Sequence, residues 1–132
     1  MAPLVKAPTE GDLLKYDLEK NYTREAVTLL AGTDYPLGAI LGLITSGANA
    51  GKYRLSRNAA GSPDIGDQVA AAVLIEHVDA SDGDRSAVVI RRGPAILSSA
   101  EIVFDPSVDD TAKRTAKLAQ LTALGIVVRD AA

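Results

Sequence analysis

A chain of 132 residues and 13.7 kDa is most economically one domain, able to bury roughly two-thirds of the surface its unfolded form exposes. Lys+Arg 14 against Asp+Glu 17 leaves a net charge of −3, without the basic excess that neutralises nucleic-acid phosphates, so direct DNA or RNA binding is disfavoured. With Cys 0 and His 1, the chain lacks thiolates for zinc, partners for disulfides, and the imidazoles behind most transition-metal sites and much general base catalysis.

Hydrophobic residues make up 47% but aromatics only 4%, with no Trp, so the core is aliphatic and offers few stacking platforms. No apolar run approaches the roughly 20 residues of a membrane span, and Met1 to Pro8 carries no apolar signal core. The expectation is a soluble intracellular product, and the absence of cysteine fits the cytosol.

From residue 1 to about 26, Pro3, Pro8, Gly11 and Asp12 interrupt any apolar period. This stretch reads as an arm outside the core. Its apolar and aromatic residues, Leu4, Val5, Leu13, Leu14, Tyr16, Leu18 and Tyr22, exceed what a solvated tail needs.

The body then reads as short strands over 26–30, 39–45, 52–56, 68–78 and 86–92, separated by loops rich in Gly, Pro, Asn and Asp. Asp82-Gly83 between Val78 and Ala87 is the strongest hairpin signal. The run from Val69 to Ile75 is almost continuously apolar, which predicts a strand buried on both faces. Two capping-box patterns follow, Ser98-Ser-Ala-Glu101 before a short helical turn and Ser107-Val-Asp-Asp110 before a helix over 111–124. Asp109 and Asp110 sit at the positive end of that helix, Leu118 and Leu121 line one side, and Gly125 supplies a left-handed stop. Residues 126–129, Ile-Val-Val-Arg, read as a final strand.

Four places invite a chemical reading. Ser46-Gly47-Ala-Asn-Ala-Gly51-Lys52-Tyr53 resembles a phosphate loop, but it is a residue short, has Tyr53 where the magnesium-binding hydroxyl belongs, and leads into a strand. It is better explained as a glycine-rich hairpin loop. Asp79, Ser81, Asp82 and Asp84 cluster hard oxygens without the Glu that closes a calcium loop. A surface turn is the stronger reading. His77 is a conceivable general base, yet Glu76, pointing to the opposite face of a strand, is poorly placed to orient it, so a structural or surface histidine is expected. Arg91-Arg92 before Gly93-Pro94 reads as a solvated strand end, with contact to an acidic partner as the alternative. No G-x-S-x-G elbow and no Cys nucleophile is present. The expectation is a protein without catalytic, cofactor or metal sites.

The chain runs through Pro36-Leu-Gly-Ala-Ile-Leu-Gly42 with Gly51-Lys-Tyr53, then Ala72-Val-Leu-Ile75 with Val78-Asp-Ala-Ser-Asp-Gly-Asp84, then Ala87-Val-Val-Ile-Arg-Arg-Gly93, and last the stretch 117–129 ending in Leu-Gly-Ile-Val-Val-Arg. In the order and spacing of these pieces it resembles the head decoration proteins of tailed bacteriophages. The resemblance implies a mainly β protomer, a β-clip-like small barrel of bent ribbons with a short helical turn and one C-terminal helix, assembling as a homotrimer. It implies a body over 23–132 and an extended capsid-binding arm over 1–22. Within that arm Pro3, Leu4, Val5, Leu13, Leu14, Tyr16, Leu18 and Tyr22 are the candidate contacts. Such proteins are made in the host bacterial cytoplasm. They bind the major capsid protein on the outer surface of the expanded head, at three-fold and quasi-three-fold positions, and brace the shell against packaged DNA. No enzyme activity, cofactor, nucleic-acid partner or membrane is implied.

Two alternatives stand beside this. One is a small trimeric β binding module of a phage tail or adhesin. The other is a relative of the trimeric dUTP pyrophosphatases, which place an acid and a tyrosine in G-x-x-D-x-x-Y-R-G. Here Tyr53-Arg54 follows Gly51-Lys52 with no aspartate ahead and precedes Leu55, so that constellation fails.

Overall fold

The computed structural model describes residues 9–130. Its elements run α1 (Glu10–Leu13), β1 (Leu14–Asp17), α2 (Lys20–Thr23), β2 (Arg24–Leu29), β3 (Asp34–Tyr35), β4 (Ile40–Leu43), β5 (Tyr53–Leu55), β6 (Ala70–Leu74), β7 (Val78–Asp79), β8 (Arg85–Ile90), β9 (Ala95–Ser98), a 3-10 turn (Ser99–Glu101), α3 (Thr111–Ala123) and β10 (Ile126–Arg129). The protein is mainly β. Strands β2, β5, β4, β6 and β8 close into a barrel in that order, and β1, β9 and β10 form a separate three-stranded sheet with β9 in the middle. The β2–β8 ladder is antiparallel along all six of its residue pairs, whereas β2 meets β5 through Leu29 and Tyr53 alone.

The apolar run around β6 has a direct cause. Ala72 and Leu74 pack inside the barrel with Leu29, Tyr35, Leu41 and Val89. Ala70, Val73 and Ile75 point the other way, into a second core with Leu13, Leu97, Leu121 and Ile126. A strand with an apolar layer on each side has no polar face to alternate with. Strand β4 divides likewise, Leu41 inward and Ile40 outward. The second core is closed by the three-stranded sheet and by α3.

Gly42 shows how tightly the barrel wall is built. Ala70 pairs with Gly42 after a register shift that bulges Ala71, and a Cβ on Gly42 would stand 2.1 Å from the backbone oxygen of Asp67. Only glycine allows that approach.

Four sequence expectations change. The 68–78 strand is two strands, because the Glu76 carboxylate accepts from the Val88 N–H at 2.8 Å and takes the place of a ladder partner. The turn at Asp82-Gly83 does not join a hairpin: β7 pairs with β3, locked by Ala80 N–H to Thr33 O and Gly32 N–H to Ala80 O, while β8 is occupied by β2 and β6 on its two sides. Ser107 does not cap α3, since its hydroxyl donates to Asp105 at 2.6 Å and accepts from Asn58 N–H at 2.9 Å; Asp110 is the cap, accepting from Lys113 N–H at 2.8 Å. Ser98 ends strand β9 and makes no side-chain cap to the 3-10 turn. The end of α3 follows expectation, with Gly125 at φ 83 turning the chain into β10, which runs parallel to β9.

Candidate functional site

Residues 9–22 are fastened to the body rather than lying apart from it, and they divide into two kinds. In α1 the Thr9 N–H donates to Asp12 Oδ2 at 2.8 Å, which starts a single turn and delivers Leu13 into the second core at 0% exposure. Leu14 is half-buried against the same core. Strand β1 then pairs antiparallel with β9, and Leu18 N–H extends the ladder to Pro94 O at 3.1 Å. Leu13 and Leu14 thus hold the fold, and they are not free to meet a partner. Their sequence signal, apolar residues between Gly11 and Lys15, is the same for an anchor and for a contact. Pro3, Leu4 and Val5 lie outside the described residues.

Tyr16, Leu18 and Tyr22 are different. They are 46%, 60% and 51% exposed, large apolar surfaces left in water by the same short segment. Tyr16 and Val127 both align with Ile96 across β9, and residues opposite one another in a sheet share a face. The outer face of the three-stranded sheet therefore carries an apolar row, Tyr16–Ile96–Val127, with Leu18 two residues along from Tyr16. Ile96 and Val127 were not recognised as part of a surface, because β9 is only four residues long and follows a Gly-Pro break that reads as loop.

Charged groups fix this segment to the barrel. Asp17 accepts from the Thr23 hydroxyl at 2.8 Å and from Arg24 Nε at 3.1 Å. Burial would raise the Asp17 carboxyl, but those bonds and the Arg24 charge outweigh it and hold it below the usual carboxylate range. Arg24 also reaches Glu10 at 2.7 Å, tying α1, β1 and β2 through one guanidinium. Arg92 donates to Tyr22 O at 2.6 Å and to Glu25 at 3.3 Å, with its guanidinium over the Tyr22 ring. Arg91 donates to Ala71 O at 2.8 Å. The arginine pair is therefore internal scaffolding more than a solvated strand end.

The remaining chemical candidates resolve into structure. The glycine-rich stretch 46–51 is the loop of the β4–β5 hairpin, and Lys52 pairs with Asp84 at 2.7 Å. Asp79 accepts from Ser81 N–H and hydroxyl at 3.0 and 2.5 Å, and Asp84 from Ala31 N–H at 2.8 Å. The Ser81 bonds lower the Asp79 carboxyl, and the Lys52 pair with the Ala31 bond lowers that of Asp84. His77 is exposed and lies 2.6 Å from Asp34, while Glu76 is engaged with Val88. Among the described residues no group of three or more His, Asp or Glu is arranged to hold a metal ion.

One polar cluster escaped sequence reading. Asp67, at 0% exposure, receives a two-bond fork from Arg57 at 2.6 and 2.8 Å, with Arg54 Nε 3.1 Å away. Burial would raise the Asp67 carboxyl, yet the Arg57 bonds and the Arg57 and Arg54 charges keep it below the ordinary range. Buried Lys117 donates to Ser56 Oγ at 2.8 Å and to Gln68 O, pinning α3 to the barrel; burial pushes its amine down. These residues come from three separate segments, 54–57, 67–68 and Lys117, so no spacing announces them.

A model of the bacteriophage lambda head decoration protein D family matches residues 3–126. The chain belongs to that family. Head decoration is a structural role at the phage capsid, not a known enzymatic one, which makes the capsid of the virion its place and the major capsid protein its partner. No curated protein matches the chain.

Proposed function

We propose that the protein is a homotrimeric cement protein that binds the outer surface of the expanded phage head at three-fold and quasi-three-fold sites and braces the shell against internal DNA pressure. Its N-terminal stretch, residues 1–22, makes the capsid contact. Pro3, Leu4 and Val5 add an extended strand to the major capsid protein, while Tyr16, Leu18 and Tyr22 cover apolar surface beside it. Strand addition gains main-chain hydrogen bonds without a deep pocket. Three tethered arms raise the local concentration of the second and third to about the millimolar range once the first is seated, so weak single contacts suffice.

The observation that carries this reading is the family match over residues 3–126, and the exposure of Tyr16, Leu18 and Tyr22 supports the choice of contact. The experiment is co-sedimentation with expanded, undecorated heads of the cognate phage. Full-length protein should bind saturably, and protein lacking residues 1–8 should fold but bind far more weakly. A longer deletion through residue 20 would be uninformative, since it removes Leu13 and β1 from the core. Equal binding by the shorter chain would overturn the strand-addition mechanism, and no binding by either would overturn the cement role.

A further inference from the structure

Among the described residues the three-stranded sheet has two unpaired edges. Among the described residues β1 pairs only with β9, and β10 pairs only with β9. Open edges carry rows of unpaired N–H and C=O groups, which folded proteins cover, blunt or pair. Because β1 runs antiparallel to β9 and β10 runs parallel to it, β1 and β10 are themselves antiparallel. Repeating the sheet by rotation about an axis along its strands therefore brings the β10 edge of one copy against the β1 edge of the next in antiparallel sense.

We propose that β10 of one protomer pairs with β1 of its neighbour, so that edge-to-edge pairing between copies closes the ring of protomers. The inference rests on the homotrimer reading and names its interface. The edges differ from each other, so the contact is head-to-tail, the type that closes into a cyclic oligomer when the rotation allows. The side chains select the register. With Val127 opposite the neighbour's Leu18, Arg129 stands opposite Tyr16 and Asp130 beside Lys15. The four outer-face residues of that register, Val127, Arg129, Tyr16 and Leu18, are all exposed in the single chain. That register joins apolar to apolar, cation to aromatic ring and acid to base, each a favourable cross-strand pair.

The chain has Cys 0, so an introduced pair is the only possible disulfide. In the doubly substituted Leu18→Cys/Val127→Cys protein, positions 18 and 127 of one protomer are kept apart by the intervening β9. Two strand spacings of about 4.8 Å each exceed the roughly 4.4–6.8 Å Cα separation that a disulfide tolerates, so any bridge joins two chains. Mild oxidation is followed by denaturing electrophoresis, and sedimentation gives the native mass, free and on decorated heads. The expected result is a trimeric mass with a covalent trimer that each single-cysteine variant fails to form. A trimeric mass without the covalent trimer overturns the β1–β10 interface and leaves the homotrimer standing. A monomer in solution that amine cross-linking also finds as monomer on heads overturns both.

Discussion

The barrel and the three-stranded sheet are built from the same aliphatic residues but spend them differently. In the barrel, β4 and β6 are covered on both faces, the ladder closes on itself, and the principal buried carboxylate, Asp67, is met by Arg57 and Arg54 from the same wall. The small sheet buries one face, through Ala95, Leu97 and Ile126, and leaves Tyr16, Leu18 and Val127 in water on the other. A region whose strand edges are all paired is a scaffold, even though Val88 of β8 stands exposed on its outer wall. The region with unpaired edges is where a partner gains most, because the surface to be covered and the hydrogen bonds to be made are already in place.

The contrast is sharpest under substitution. The largest effect is expected in the barrel wall at Asp67→Asn, which leaves two arginines without their buried counter-charge and should cost about 3 kcal/mol in denaturant unfolding. Wild type should show the corresponding acid sensitivity. A carboxyl held below its ordinary value of 3.8 contributes stability that is complete above that pH and is lost as pH falls through the folded-state value. Loss of the acid transition's steepness in Asp67→Asn is the check.

Leu13→Ala should cost nearly as much, about 2–3 kcal/mol, since it opens a cavity in the second core. Where the variant remains folded it should still bind heads. A Leu13→Ala protein of wild-type stability that fails to bind heads would mean Leu13 is a contact after all. Lys117→Met should be milder, about 1–3 kcal/mol, by orphaning Gln68 O and Ser56 at the α3 contact. Smallest in stability is Tyr16→Ser, within about 0.5 kcal/mol, and yet it should weaken head binding measurably. A Tyr16→Ser protein that binds heads as wild type does would remove the small sheet from the contact surface.

How much of this was legible in the sequence follows the same division. Strands β2, β4, β5 and β8, helix α3 with its Gly125 stop, and β10 are all readable, because turn chemistry brackets short runs of strand-forming residues and a cap and a glycine bracket the helix. Hidden features were those that depend on distant partners. Asp67 meets Arg57 ten residues away and Lys117 meets Ser56 across 61. Strand β9 is defined by β1 and β10 from opposite ends of the chain. The N-terminal residues were readable as apolar but not sortable, since only the fold separates Leu13, which turns into the core, from Tyr16 three residues later, which does not.

Amide hydrogen exchange on the protein, free and bound to expanded heads, tests the division between scaffold and contact surface most directly. The account predicts new protection in the N-terminal stretch before β1 and around Tyr22, with β4, β6 and β8 unchanged because their amides are already in closed ladders. Protection gained on the barrel loops with none in the N-terminal stretch would contradict it.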